Sequence, residues 1–263
     1  MPRNKPLIFN SAKKLLKDGQ PITGMNVFES FRPSLIKIAS MAGFDLILTD
    51  MEHGSCNIDN LTNFLVSARD NDLTPIVTVV SPERSLVSKM LDAGALGIIL
   101  SHTETVEQVN DLVRWAKYAP EGERGLALGA NAEYNNENIA QYCRDANDAI
   151  LILPKIESPK GIRNAEGIMN VSGVDGIVFG PGDLSVKMGH TGEWEHPKVV
   201  AALESVVQLA IKHGLAVEPA IMPTDATSYQ RERARGAQIF GATRQSEYDL
   251  LKTAAQDVMA IYL

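Results

Sequence analysis

The sequence is poor in cysteine, since Cys56 and Cys143 are the only two among 263 residues and their spacing fits neither a metal site nor a redox motif. So few thiols in so long a chain are typical of a reducing compartment. No apolar run approaches the roughly 20 residues that a membrane-spanning helix needs. The basic N-terminus also lacks the continuous apolar stretch of a signal peptide. We therefore expect a cytoplasmic protein without a membrane partner.

Positive charge is scarce as well, because 25 lysines and arginines stand against 32 aspartates and glutamates, for a net charge of −7. Basic runs with interleaved aromatic residues are absent, so nucleic acid is not expected as a partner. Hydrophobic residues make up 44% of the chain, which is ample for a large core. No linker, repeat or low-complexity segment divides the sequence, and we predict a single domain over residues 1–263.

Short apolar segments alternate with longer segments of helical periodicity along the whole chain. The predicted strands cover residues 21–27, 44–50, 74–80, 96–102, 149–157, 174–180, 215–222 and 237–243. Several helical segments end in a glycine, as helix C-termini commonly do; these are Gly43, Gly94, Gly173, Gly214 and Gly236. Continuous apolar strands joined by crossover helices indicate a parallel sheet. Eight such units in about 250 residues predict an α/β fold, a (β/α)8 TIM barrel with an additional helix at each end.

A doubly wound open sheet is the alternative fold, but the first strand-to-helix turn, NVFESFRP, lacks the glycine-rich phosphate loop of such proteins. In a barrel, the active site lies at the C-terminal ends of the strands, which we call the mouth. Polar residues that close an apolar strand should therefore meet there. They are Asp50, Glu52, His53, His102, Lys155, Glu157, Asp183 and Arg244.

Two carboxylates close neighbouring strands, because Glu157 ends LILPKIE and Asp183 follows VDGIVFGPGD. Adjacent strands lie ~4.8 Å apart, so both side chains can converge on one cation. Oxygen ligands without cysteine or clustered histidine suit Mg²⁺ or Mn²⁺. Alternatively, each acidic residue only stabilises the N-terminus of the helix that follows it. The spacing alone leaves both interpretations open.

Other candidates lie in turns and at a helix end. Gly180 and Gly182 of GPGD allow backbone N–H groups to approach a small carboxylate, although a Gly-Pro turn is also ordinary loop chemistry. His53 in TDMEHG is either a base or a solvated side chain. Asp92 ends a helix, where an acid is unfavourable, so it is either exposed or paired with a cation such as His53. The remaining histidines show no paired spacing and are interpreted as structural or surface residues: His102, His190, His196 and His213.

Several segments together resemble the HpcH/HpaI family of class II pyruvate aldolases, which includes 4-hydroxy-2-oxoheptanedioate and 2-dehydro-3-deoxyglucarate aldolases. They are AGFDLILTDMEHG, KMLDAGALGIIL, KYAPEGERGLALG, KIESPKGIRN and VDGIVFGPGDLSVKMG, and they span nearly the whole chain. The resemblance implies a (β/α)8 barrel that binds a divalent metal, Mg²⁺ or Mn²⁺ with Co²⁺ or Zn²⁺ as alternatives. It implies cleavage of 4-hydroxy-2-oxo acids to pyruvate and an aldehyde. It also suggests a homo-oligomer, usually a hexamer, packed through the C-terminal helix.

Carried over residue by residue, the resemblance makes Glu157 and Asp183 the metal ligands. The backbone around Gly182 and Asp183 would hold the carboxylate of the pyruvate or oxaloacetate half. His53 would be the base, acting through a metal-bound water, with Asp92 raising its basicity. The metal would stabilise the enolate that carbon–carbon cleavage leaves on the pyruvate half.

Two positions depart from the family pattern. The family has an arginine on strand 3 where this chain has Thr78, and a glutamine where it has Lys155. Arg84 could replace that arginine only if its loop folded inward. Lys155 shares the inner face of its strand with Glu157, and we expect it to contact the oxo acid or a metal-bound water. A structural salt bridge and an imine-forming nucleophile are the alternatives for Lys155, and packing is the alternative for Thr78.

Three functions are compatible with these residues. A metal-dependent lyase of the pyruvate-aldolase type is the preferred one. A Claisen-type condensing enzyme of the same family, as in citrate synthesis for siderophores, would share the enolate step. A binding protein that keeps metal and oxo-acid binding but lost turnover with the strand 3 arginine is the third.

Overall fold

The computed structural model describes residues 8–55, 57–135, 137–241 and 244–262, and its centre is one sheet of eight parallel strands. The strands are β1 (Ile22–Val27), β2 (Leu46–Asp50), β3 (Thr74–Val79), β4 (Gly97–Leu100), β5 (Leu151–Ile156), β6 (Gly176–Phe179), β7 (Ala216–Val217) and β8 (Ile239–Phe240). Each strand from β1 to β7 pairs with its neighbour in sequence, and β8 pairs with β1. A hydrogen bond from the Gln238 N–H to the Val217 carbonyl, 3.0 Å long, joins β7 to β8. The sheet is therefore a barrel, which confirms the predicted fold and excludes the open sheet.

Eleven α-helices lie among the described residues, and most of them pack around the outside of the barrel. They are α1 (Ser11–Lys17), α2 (Pro33–Ala42), α3 (Ile58–Asp70), α4 (Arg84–Asp92), α5 (Val106–Ala116), α6 (Ile139–Ala149), α7 (Pro159–Met169), α8 (Pro181–Lys187), α9 (Pro197–Lys212), α10 (Ala226–Arg235) and α11 (Glu247–Met259). The five glycines predicted at helix ends have φ angles between 70° and 114°, the left-handed conformation expected there. None of the described helices has the length and apolarity to cross a membrane.

The interior of the barrel changes character along its axis. Aliphatic side chains fill the part nearer the N-terminal ends of the strands, and Ala12 of α1 belongs to the same cluster. Side chains alternate between the two faces of a strand, so the next inward positions are two residues further on. At the mouth these positions are polar: Asn26, Asp50, Thr78, Ser101, Lys155 and Glu218. The polar ring rests directly on an apolar core. That residues 1–263 form one domain stays a prediction.

Candidate active site

The turn after β2 places Glu52 and His53 at the mouth. The Asp50 Oδ1 atom accepts hydrogen bonds from the N–H groups of Glu52 (2.8 Å) and His53 (3.0 Å). Gly54 closes the turn, since a Cβ atom there would lie 2.1 Å from the Asp50 carbonyl oxygen. The His53 side chain is 63% exposed, and its Nε2 atom lies 4.0 Å from Glu52 Oε2. The imidazole is thus open to a ligand and has a carboxylate behind it.

His102, directly after β4, links three elements of the site. Its Nε2 atom lies 2.8 Å from Glu52 Oε1, and its Nδ1 atom lies 3.1 Å from Lys187 Nζ of α8. An ammonium group can only donate, so Nδ1 accepts and Nε2–H donates to Glu52. The backbone N–H of His102 donates to Glu157 Oε1 at 2.5 Å. The interpretation of His102 as an isolated structural or surface residue missed these contacts, because the partners are 50 to 85 residues away in sequence.

Glu52 is anionic in this arrangement. Burial alone would raise the pKa of its carboxyl group, but the nearby Ser101 hydroxyl, the hydrogen bond from His102 and the charge of Lys155 outweigh burial and lower it. The carboxylate therefore stays charged beside both histidines of the mouth.

Glu157 follows β5 and is fully buried. It does not cap α7, because the N-cap is Ser158, whose Oγ atom accepts a hydrogen bond from the Gly161 N–H. Its Oε2 atom forms an ion pair with Lys155 Nζ, 3.1 Å away, but accepts no aligned hydrogen bond. A Cβ atom on Gly180 would lie 2.0 Å from this oxygen, so the glycine makes room for the carboxylate.

Asp183 lies in the first turn of α8, three residues after Gly180, and is half-buried. Its carboxylate has no hydrogen bond or ion pair within the part of the chain that the structure describes. Glu157 Oε2 lies against Gly180, from which α8 begins, and Asp183 follows three residues later in the first turn of the same helix. The Glu157 Oε2 atom, which accepts no aligned hydrogen bond, and the Asp183 carboxylate are oxygen donors of the kind that a hard divalent cation binds. Stabilisation of the helix N-terminus remains the alternative for Asp183.

Lys155 points into the barrel, and its side chain is only 13% exposed. Burial alone would lower the pKa of its ammonium group, but Glu157, Asp50 and Glu52 outweigh burial and raise it. A lysine that forms imines needs a lowered pKa, so this environment favours a permanent cation over a nucleophile. Thr78 is buried on β3 and pairs with Asp50 in the ladder between β2 and β3.

Arg84 does not reach the mouth. It is exposed at the start of α4, and its guanidinium carbon lies 5.6 Å from the centre of the Trp115 ring on the outer helix α5. The loop before α4 has therefore not folded inward, and Arg84 does not replace the family arginine at Thr78. Lys155 is the cation closest to Glu157 among the described residues.

Asp92 and His53 do not form a pair within the described chain. Asp92 Oδ1 accepts a hydrogen bond of 2.8 Å from Arg124 Nη2, and the Arg124 side chain is almost fully buried against the Tyr118 ring. Arg124 thus compensates the acid at the end of α4. The sequence predicted exposure or a cationic partner, but not which cation, because Arg124 is 32 residues away in a loop.

Arg244 lies on the β8 side of the polar residues at the mouth. Its Nη1 and Nη2 atoms donate to the carbonyls of Ala220 (2.9 Å) and Pro219 (3.2 Å), which follow β7. Burial lowers the pKa of this guanidinium, while the charge of Glu218 acts in the opposite direction. Arg244 therefore joins the ends of β7 and β8 at the mouth.

Comparison with known proteins gives a consistent picture. Residues 25–246 match the model of the HpcH/HpaI aldolase/citrate lyase family. A hydroxypyruvate/pyruvate aldolase of Roseobacter denitrificans is 31% identical over 234 residues, which are 88% of this chain and 90% of that protein. A 4-hydroxy-2-oxo-heptane-1,7-dioate aldolase of Klebsiella pneumoniae is 32% identical and covers 87% of this chain and 85% of its own.

Solved structures show the same architecture. An HpcH/HpaI aldolase from Desulfitobacterium hafniense superposes with a TM-score of 0.86 at 30% identity, over 95% of both chains. The citrate synthase SbnG superposes with a TM-score of 0.84 at 24% identity, over 95% of this chain and 96% of its own. At that identity the second likeness concerns the fold alone.

Proposed function

Because this chain belongs to the HpcH/HpaI aldolase/citrate lyase family, and is therefore a carbon–carbon lyase of the aldolase type, we propose that it cleaves a 4-hydroxy-2-oxo acid to pyruvate and an aldehyde at the mouth of its barrel. The observation that supports this site most directly is Glu157. It is a fully buried carboxylate whose Oε2 atom accepts no aligned hydrogen bond and lies against Gly180.

HpcH/HpaI aldolases are generally dependent on divalent metals. In this chain Glu157 and Asp183 would hold the ion, and their hard oxygen donors favour Mg²⁺ or Mn²⁺, with Co²⁺ or Zn²⁺ as alternatives. When bound, the ion would act as a Lewis acid toward the 2-oxo group. The backbone at Gly182 and Asp183 would bind the substrate carboxylate, because Gly182 has no side chain to obstruct it.

Proton transfer would be the task of His53. Its exposed imidazole would take the proton of the 4-hydroxyl group, while the electrons of the broken carbon–carbon bond pass to the pyruvate half as an enolate. Transfer of that proton from the imidazolium to the enolate carbon would then give pyruvate. Glu52, anionic and 4.0 Å away, would stabilise the imidazolium. The pairing of Asp92 with Arg124 makes Glu52 the better supported partner of His53 in this chain. The ammonium group of Lys155 would supply positive charge to the oxo acid in place of the arginine missing at Thr78.

We also propose that the chain forms a homo-oligomer, with a hexamer as the first expectation. Hydrophobic residues of the C-terminal segment are exposed, among them Leu251 (72%), Val258 (52%) and Ile261 (78%). Ile38 and Met41 on α2 are exposed as well. A second copy that covered these side chains would bury their apolar surface. The low cysteine content supports a cytoplasmic location.

The test is an assay of pyruvate release from 4-hydroxy-2-oxo acids and of oxaloacetate decarboxylation, with Mn²⁺ or with EDTA. We expect pyruvate with Mn²⁺, none in EDTA, and none from Asp183→Asn. The matched control is Asp111→Asn on the exposed face of α5, which should retain activity. Citrate formed from oxaloacetate and acetyl-CoA would instead identify a condensing enzyme. Pyruvate binding without any turnover would identify a binding protein.

A further inference from the structure

We propose that Trp194 contacts the substrate, with its indole N–H directed at the carboxylate of the 2-oxo acid. Trp194 lies in the connection between α8 and α9, which spans residues 188–196. The inference rests on the proposed function, because it takes Gly182 as the position where that carboxylate binds. Trp194 would then be one wall of the substrate site and would help to set the affinity for the pyruvate half.

The space beside Gly182 is bounded by Trp194. A Cβ atom built on Gly182 would meet one atom within 4 Å, the Nε1 of Trp194 at 4.0 Å. Gly182 is the second residue of α8 and lies in its first turn. Because Gly182 has no side chain, it leaves open space beside the indole of Trp194. A ligand oxygen in this space would lie within hydrogen-bonding distance of the indole N–H, for which ~2.7–3.2 Å is usual.

The indole N–H of Trp194 is available as a hydrogen-bond donor. Its side chain is 60% exposed, and within the described residues its Nε1 atom has no hydrogen-bond acceptor. A single exposed aromatic residue is ordinary in itself. Here the exposed ring stands over a glycine of the proposed substrate site, and a tryptophan N–H that becomes covered needs an acceptor. A bound carboxylate would both cover the ring and supply that acceptor.

The segment that carries Trp194 is fixed to α8. The His190 N–H donates to the Ser185 carbonyl at 2.8 Å, and the Ser185 hydroxyl donates to the Gly182 carbonyl at 2.7 Å. One serine therefore connects the turn at Gly182 with the start of the Trp194 segment. These bonds hold the start of the segment close to the first turn of α8.

The other end of the segment is fixed as well. The rings of His190 and His196 stack with centroids 3.5 Å apart, one on each side of Trp194 in sequence. The Nδ1 atom of His196 accepts a hydrogen bond from the Lys198 N–H and so caps α9. The ring of Trp194 is thus presented by a segment anchored to both flanking helices.

The experiment uses the fact that the chain has two tryptophans, Trp115 and Trp194. Trp115→Phe leaves Trp194 as the sole indole, and Trp194→Phe leaves Trp115 on the outer helix α5. Each variant of the full-length protein is titrated with pyruvate in the presence of Mg²⁺. We expect a saturable change of fluorescence in Trp115→Phe and none in Trp194→Phe. Calorimetry should show pyruvate binding about tenfold weaker in Trp194→Phe than in wild type, since the ring remains but the donor to a charged acceptor is lost.

The inference is overturned if Trp194→Phe binds pyruvate as tightly as wild type and the emission of Trp194 in Trp115→Phe does not change with pyruvate. In that case the proposed function still stands, provided that the wild-type protein binds pyruvate and releases pyruvate from the substrate. If wild type neither binds pyruvate nor produces it, the proposed function fails, and the inference fails with it. The unfolding temperature of Trp194→Phe should match wild type, because Trp194 is exposed. Trp115 packs against the core, so the folded state of Trp115→Phe is verified by circular dichroism before titration.

Discussion

At the scale of single residues, the mouth consists of charged groups that share partners. His102 contacts Glu52 through its ring and Glu157 through its backbone, and Glu157 is also paired with Lys155. Glu52 in turn lies between two histidines. Groups in one such network do not act independently, so substitutions at these positions should combine non-additively.

His53→Asn should lower kcat by roughly 10²–10⁴-fold, the usual effect of losing a general base. The amide keeps the size and polarity of an exposed side chain, so folding should not change. His213→Asn is the matched control, since His213 lies at the end of α9, 3.9 Å from Glu166 and away from the mouth. Steady-state kinetics that place the two variants within a few-fold of each other would contradict a catalytic role.

Lys155→Gln should reduce activity even though it introduces the residue typical of the family. It removes the cation paired with buried Glu157, so affinity for pyruvate should fall while affinity for Mn²⁺ rises. Loss of one charge-assisted hydrogen bond corresponds to about 10- to 150-fold in rate. Lys160→Gln, which removes a surface partner of Glu104, is the control. An increase in turnover, or a borohydride-trapped adduct on wild-type Lys155, would reject this role.

At the scale of elements, the turn between β6 and α8 contains two glycines with different roles: Gly180 leaves space for Glu157, and Gly182 is proposed to leave space for the substrate carboxylate. Gly180→Ala would place a Cβ atom 2.0 Å from Glu157 Oε2 and displace the buried carboxylate. We expect a lower unfolding temperature and loss of Mn²⁺ binding.

In Gly182→Ala the added Cβ atom meets nothing closer than 4.0 Å, so the variant should keep both stability and Mn²⁺ affinity but lose pyruvate binding. Calorimetry with Mn²⁺ and with pyruvate separates the two, and equal effects would contradict the assignment.

Most strands could be predicted from the sequence because they are continuous apolar runs. The exceptions are the last two, predicted over 215–222 and 237–243 but formed only by Ala216–Val217 and Ile239–Phe240. Pro219 has no N–H for a ladder, and Gly241 has a φ of 76°. Residues 242 and 243 of the last predicted strand, like Cys56, lie outside the described residues.

The candidate site was predictable only where sequence neighbours share a face. Lys155 and Glu157 are two residues apart on one strand, and the structure pairs them as period-two alternation requires. The partners of His102 and Asp92 come from distant elements, and no local periodicity links them. Arg124 in particular sits in a loop whose conformation the sequence pattern does not specify.

At the scale of the whole molecule, chemistry and stability occupy opposite ends of the barrel. The polar ring lies at the mouth, and the aliphatic cluster below it is fully buried. Substitutions confined to the mouth therefore leave this cluster, and the larger apolar core between the strands and the helices, intact. Loss of function without loss of folding is the expected outcome for most of them.

Leu251→Asp should dissociate the proposed oligomer, because it places a charge among the exposed hydrophobic residues of the C-terminal segment that a second copy would bury. Light scattering at micromolar concentration should show an oligomer for wild type and a smaller species for the variant. Ala201→Asp introduces the same charge on the exposed side of α9 and should leave the mass unchanged. A monomeric wild-type protein would refute the assembly.

The wall between β7 and β8 is the weakest in the barrel, with one backbone hydrogen bond between the two strands among the described residues. In native-state hydrogen exchange, the Gln238 amide should lose its proton sooner than amides of β2 or β3, since short pairings open locally at low free energy. Arg244 holds the upper end of this wall through the carbonyls of Pro219 and Ala220. The barrel would therefore open from its lower end, leaving the geometry of the mouth undisturbed.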